Sequence, residues 1–107
     1  MTIHITDGVY RELANKLMEH FDGDSYLSTS VRVERKHYSV ELNLTAILYY
    51  NDTRVELDRD CYGKSKQLSD IVPVWWEINT WWDEGDHDRQ VKNDGQFSEI
   101  RNIILEL

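Results

Sequence analysis

A chain of 107 residues, 40% hydrophobic and 30% charged, has ordinary single-domain length and enough apolar side chains to build one core. Residues 1–51 carry seven acids against five bases and residues 52–107 carry thirteen against seven, so the formal charge of −8 divides as −2 and −6. That balance disfavours nucleic acid and anionic membranes as partners; the lone Cys61 excludes an internal disulfide, and no stretch has the length of a membrane span.

Met1 to Thr6 is too short and too polar for a signal peptide, which fits a reducing, cytoplasmic setting. The first element reads as a helix. Thr6 is placed to cap it, and Asp7 suits its first turn. Val9, Leu13, Leu17 and Phe21 recur every four residues, with Ala14 and Met18 widening the stripe. Asp22-Gly23-Asp24 then ends it with turn-forming residues.

From Tyr26 the apolar period changes to two. Leu27, Thr29, Val31 and Val33 alternate with Ser28, Ser30, Arg32 and Glu34. Alternation resumes through Tyr38, Val40, Leu42, Leu44, Ala46, Leu48 and Tyr50, the longest strand signal in the chain. Asn51-Asp52 then reads as a two-residue hairpin loop leading to Val55 and Leu57. That loop predicts Leu48 opposite Val55, Ala46 opposite Leu57 and Leu42 opposite an inward Cys61. The hairpin before it predicts Val33 opposite Tyr38. Both registers keep the apolar residues on one face, as burial of a single face requires.

The segment Ile71 to Trp82 fits either a helical stripe or a strand. Its β-branched and aromatic content favours a fourth strand, with Pro73 at its start or on an edge. In a strand Trp76, Ile78 and Trp82 join the core, while Trp75 and Trp81 line the other face. A polar loop is expected from Asp83 to Gln96. A closing helix follows, with Phe97, Ile100, Ile103, Ile104 and Leu107 as its apolar stripe and Asp94 as its cap. The expected architecture is α+β over residues 1–107: a four-stranded antiparallel meander with an N-terminal and a C-terminal helix on one face.

Chemistry-bearing patterns are sparse. The hairpin register places Asn43 opposite Asp60, Thr45 opposite Asp58 and Ile47 opposite Glu56. Glu41, Glu56, Asp58 and Asp60 would thus share one patch on the face away from the core. Such a patch suits either a divalent cation or a carboxylate pair for hydrolysis, and equally a solvated sheet face. Asp58-Arg59-Asp60-Cys61-Tyr62-Gly63 begins like a calcium loop, but Tyr62 is a poor ligand and Ser69 stands where a bidentate glutamate is needed. The histidines are scattered, Cys61 has no second cysteine for zinc, and no nucleotide-binding or nucleophile-elbow motif occurs. No metal or cofactor is expected.

The least ordinary feature is two Trp-Trp pairs within residues 75–82. Tryptophans on the second face need a cover, and a helix, a partner protein or a stacked ligand would each serve. The expected function is therefore a non-enzymatic protein-binding module. Its contact face would use Trp75 and Trp81 as anchors and Glu41, Glu56, Asp58 and Asp60 as a charged rim, with a protein partner or a homodimer as occupant. A metal-dependent hydrolase using the same carboxylates and an acidic mimic of DNA are the competing readings.

Overall fold

A computed structural model of the chain describes the backbone of residues 1–58 and 61–106, and the side chains of 1–51 and 68–106. The elements in order are β1 (Thr2–Ile3), α1 (Asp7–Met18), β2 (Tyr26–Glu34), β3 (Tyr38–Asp58), β4 (Cys61–Asp83), β5 (Asp88–Asn93) and α2 (Phe97–Glu106). The five strands form one mixed sheet in the order β1-β5-β4-β3-β2, and the helices stand near the two ends of the chain. The meander is thus antiparallel from β2 to β5, and β1 adds a short parallel strand at its edge.

Helix α1 starts where the capping pattern places it. The Val9 backbone N–H donates to Thr6 Oγ1 at 3.4 Å, satisfying one of the donors that a helix start leaves free. Val9, Leu13, Ala14 and Leu17 have no exposed surface. They join Ile100 and Ile104 of α2 and Val33, Val40, Leu42 and Ile71 of the sheet in one core cluster. Phe21 lies beyond the helix end and packs against that cluster from outside. Gly23, at φ 92°, then turns the chain, a left-handed conformation that favours glycine.

Two expected registers change. Val33 pairs with Val40 and Val31 with Leu42, a slip of two residues from the expected hairpin. The slip keeps every apolar side chain on its face, because strand side chains alternate with period two. The larger correction is at Asn51-Asp52, which is no loop: β3 runs straight through it to Asp58. Leu48 pairs with Ile71, Ala46 with Pro73 and Leu42 with Ile78, while Cys61 pairs with Asp58. The apolar phase does switch after Tyr50, as a hairpin would make it. The register shift found at that point falls on β4, where Ser69 is the extra residue, and leaves β3 continuous through the switch.

Residues 71–82 are strand, inside the longer β4, and Pro73 stands beside a register shift that leaves Val74 without a partner on β3. The expected polar loop contains β5, whose pairing to Thr80–Asp83 closes the sheet on that side. Its six residues carry a single apolar side chain, Val91, so alternation cannot reveal it. Asp94 does not cap α2. One carboxylate oxygen accepts the Ile5 N–H at 2.7 Å and the other meets His4 Nδ1 at 2.6 Å, tying the segment after β5 to the entry of α1.

Asp94 and Asp70 share a consequence for acid stability. The Ile5 N–H and then His4 hold the Asp94 carboxyl below its ordinary value; the Arg101 guanidinium does the same for Asp70. A carboxyl that binds its proton less readily when folded stabilises the fold above the unfolded value, near pH ~4. That stabilisation is lost as pH falls through the lowered values. The melting temperature should therefore drop below pH ~4, and the drop should shrink in an Asp70→Asn, Asp94→Asn double variant. Thermal melts across that range check it.

The sheet is not evenly supported along its length. β2 ends opposite Ile47, and β5 reaches β4 only at Thr80. From Tyr49 and Asp70 outward, β3 and β4 pair with each other alone, as a two-stranded ribbon. The radius of gyration is 17.0 Å and the extents are 61 × 26 × 20 Å. A compact chain of this length would have a radius near ~13 Å, so the ribbon carries the difference.

Candidate functional site: the outer sheet face

The helices cover one face of the sheet and leave the other open. Tyr26, Ser28, Ser30 and Arg32 of β2 lie on that open face, with Glu41, Asn43, Thr45, Ile47 and Tyr49 of β3 beside them. Register then fixes the cross-strand rows. Tyr26 stands beside Ile47 and Ile47 beside Val72, giving an apolar row across three strands. The next row is Ser28, Thr45 and Trp75.

These apolar residues are open to solvent. Tyr26 is 62% exposed, Tyr49 51% and Trp75 52%, with Ile47 and Val72 close to 40%. Side chains directly across a sheet lie within contact distance, so the row and its neighbours make one continuous block. A shallow depression beside it is lined by Ser28, Ser30, Asn43, Thr45 and Trp75. None of those residues carries a charge. Isolated exposed apolar residues are ordinary, whereas a contiguous block of aromatic and branched side chains is not.

Trp75 and Trp81 lie on the open face and Trp76 and Trp82 on the helix side, as alternation expects. Trp76 does not join the core, however: at 36% exposure it lies beyond the cluster that the helices cover. Trp82 packs against the core and stacks on His37 with ring centroids 5.9 Å apart, and Trp76 meets Phe97 at 6.4 Å. The two outer rings are not equivalent. Arg32 lies 5.2 Å from the Trp81 ring centroid, and the same guanidinium donates to Ser39 Oγ at 2.9 Å. Trp81 is thus covered from within its own chain, in a cation–π arrangement. Trp75 is not, and it is the free anchor of the pair.

The expected carboxylate patch does not form. Glu41 pairs with Asn79, Asn43 with Glu77 and Thr45 with Trp75, so Asp58 and Glu56 stand opposite none of them. Glu56 pairs with Tyr62 and Asp58 with Cys61, far out on the ribbon. Fifteen residues separate Glu41 from Glu56 on one strand, roughly 50 Å at the usual rise. Asp60 lies outside the described residues. The acids beside the apolar block are instead Glu77, opposite Asn43, and Asp70, opposite Tyr49 and held by Arg101 at 2.7 Å; a hairpin at Asn51-Asp52 hides both pairings. Among the described residues no group of three or more His, Cys, Asp or Glu is placed to hold a metal.

The neighbouring free edge of β4 is blunted. Pro73 offers no N–H, and the unpaired Val74 breaks the ladder. The Ile71 carbonyl accepts from Arg101 Nε at 3.3 Å, and the Ile78 carbonyl from Asn93 Nδ2 at 2.9 Å. Arg101 is itself held by Asp70 at 2.7 Å. These devices oppose addition of a strand at the edge, while the open face has no such protection. The chain matches no family model, no curated protein and no solved structure at a significant level. Among the described residues no helix is long and apolar enough to cross a membrane.

Proposed function

We propose that this protein is a protein-binding module that acts through its outer sheet face. The observation that carries the reading is the uncharged, solvent-exposed block of Tyr26, Ile47, Tyr49, Val72 and Trp75 on a face that no element covers among the described residues. Aromatic and aliphatic anchors at the centre, with polar groups around them, are what protein interfaces require. Asn43, Ser30 and Ser28 supply hydrogen-bonding groups, and Glu41 and Glu77 a charged rim. The face is a surface rather than a cleft, which fits macromolecular contact better than catalysis on a small substrate.

Site-specific photo-crosslinking tests the reading. A photoreactive phenylalanine at position 26 should capture a protein in the producing cell, and an Ile47→Asp substitution elsewhere in the same row should remove that adduct. An adduct indifferent to Ile47→Asp, or none at all, would overturn it.

A further inference from the structure

We infer that the free edge of β2 is a second binding site, which takes an extended segment of another protein as an additional strand. This site goes beyond the outer face, because what it offers is backbone rather than side chains. The two ends of the β2–β3 pairing give the phase of its backbone bonds. The Leu48 N–H donates to the Ser25 carbonyl, and the Arg35 N–H to the Tyr38 carbonyl, each at 2.8 Å. Both bonds lie on the register that joins Val31 to Leu42. Backbone groups of an antiparallel strand alternate between its two sides, so the odd-numbered residues of β2 bond to β3. The N–H and C=O groups of Tyr26, Ser28, Ser30 and Arg32 therefore point away from the sheet. All four residues are exposed, and among the described residues nothing hydrogen-bonds to these groups. The Glu34 carbonyl, next in phase, accepts from Arg35 Nη1 at 3.2 Å and ends the open stretch.

Natural sheets usually block such an edge. β4 has Pro73 and the side chains of Arg101 and Asn93 against its own. The opposite border of the sheet is the two-residue β1, beside a β5 that carries Asp88 and Arg89. β2 has none of these devices. From Tyr26 to Val31 it contains no charge, no proline and no glycine, and its pairing to β3 has no register shift. A straight, uncharged edge is a template for strand addition. Burial then states the pattern of the occupant. Leu27 and Val31 are buried on the helix side, while Ser28 and Ser30 are exposed on the outer side. An added strand continues both surfaces, so it alternates apolar residues on the helix side with small polar ones outside. The formal charge of −8 repels a second copy of this chain and favours a segment with basic flanks.

Amide NMR on the isotopically labelled full chain tests the site, with a probe peptide of alternating valine and threonine and a lysine at each end. In the free chain the Ser28, Ser30 and Arg32 amides should exchange rapidly with solvent, and those of Thr29 and Val31 slowly. The peptide should slow exchange at Ser28, Ser30 and Arg32. Ser30→Pro removes one outward N–H without touching the β3 ladder, so circular dichroism should report an intact fold. That variant should bind the peptide at least about tenfold more weakly than wild type, whereas Ser30→Thr should bind as wild type does. A peptide that fails to bind, protection that appears at other amides, or a folded Ser30→Pro chain that binds unimpaired would each overturn the proposal. The exchange pattern of the free chain tests the phase independently of that variant. If the Ser28, Ser30 and Arg32 amides are already protected there and lose protection on dilution, a second copy holds the edge and the proposal falls. Capture from position 26, and its loss in Ile47→Asp, decide the outer-face reading separately from all of these results.

Discussion

Ile47→Asp should weaken association at the outer face by roughly a hundredfold while leaving the fold in place. Ile47 lies on the central strand of the open face, between Tyr26 and Val72, and is 38% exposed. Little of its stabilising contact is with the core, so the cost to folding is the loss of strand preference, up to ~1 kcal/mol. Association is different. Truncation at the centre of an interface costs ~2 kcal/mol or more, and a buried unpaired carboxylate adds desolvation. About 3 kcal/mol corresponds to roughly a hundredfold in affinity. Ile47→Leu preserves volume and apolarity and should retain most of the affinity. Photo-crosslinking yield from position 26 in the three forms, with melting curves alongside, separates the effect on association from any effect on stability.

The second large effect is on stability. Leu42→Ala should destabilise the fold by ~2–5 kcal/mol. Leu42 has no exposed surface and stands between Val31 of β2 and Ile78 of β4, in the middle of the helix-covered face. Removing its side chain takes apolar surface from the core and leaves a cavity that three fixed strands cannot collapse around. For a chain of this size that is a fall of at least about 10 °C in melting temperature. The same substitution at Val74, which is 64% exposed and has no partner on β3, should shift the melt by a few degrees at most. Melting curves of the two variants check the contrast between the faces.

Periodicity made the helices and the alternating strands legible, because both have one wet and one dry side. Thr6 caps α1, and the period-four stripe of Val9, Leu13 and Leu17 and the even-numbered run from Val40 to Leu48 belong to one core. The division of Trp75 and Trp81 from Trp76 and Trp82 follows from the same alternation. What the residues concealed has a common physical origin in backbone pairing. Asn51 and Asp52 have turn-forming side chains, yet they sit in a continuous ladder opposite Gln67 and Lys66. The change of apolar phase after Tyr50 is the pattern of a hairpin, and the continuous pairing of β3 through it leaves no mark in that pattern. β5 is held by hydrogen bonds to β4 and β1 and by Thr80 Oγ1 donating to the Val91 carbonyl at 2.7 Å, none of which leaves an apolar signature. The carboxylate patch depended entirely on the loop at Asn51-Asp52, and it dissolved when that loop did. The apolar block had a signal available, since Tyr26, Ile47 and Tyr49 each interrupt the polar side of an alternating strand.

The most direct test of a working outer face uses two neighbouring residues that point to opposite sides of β4. A photoreactive phenylalanine at position 75 faces outward beside Thr45, and one at position 76 faces the helix side near Phe97. Capture of a protein partner from position 75 and not from position 76 is the expected result. Equal capture from both, or capture from position 76 alone, would contradict it.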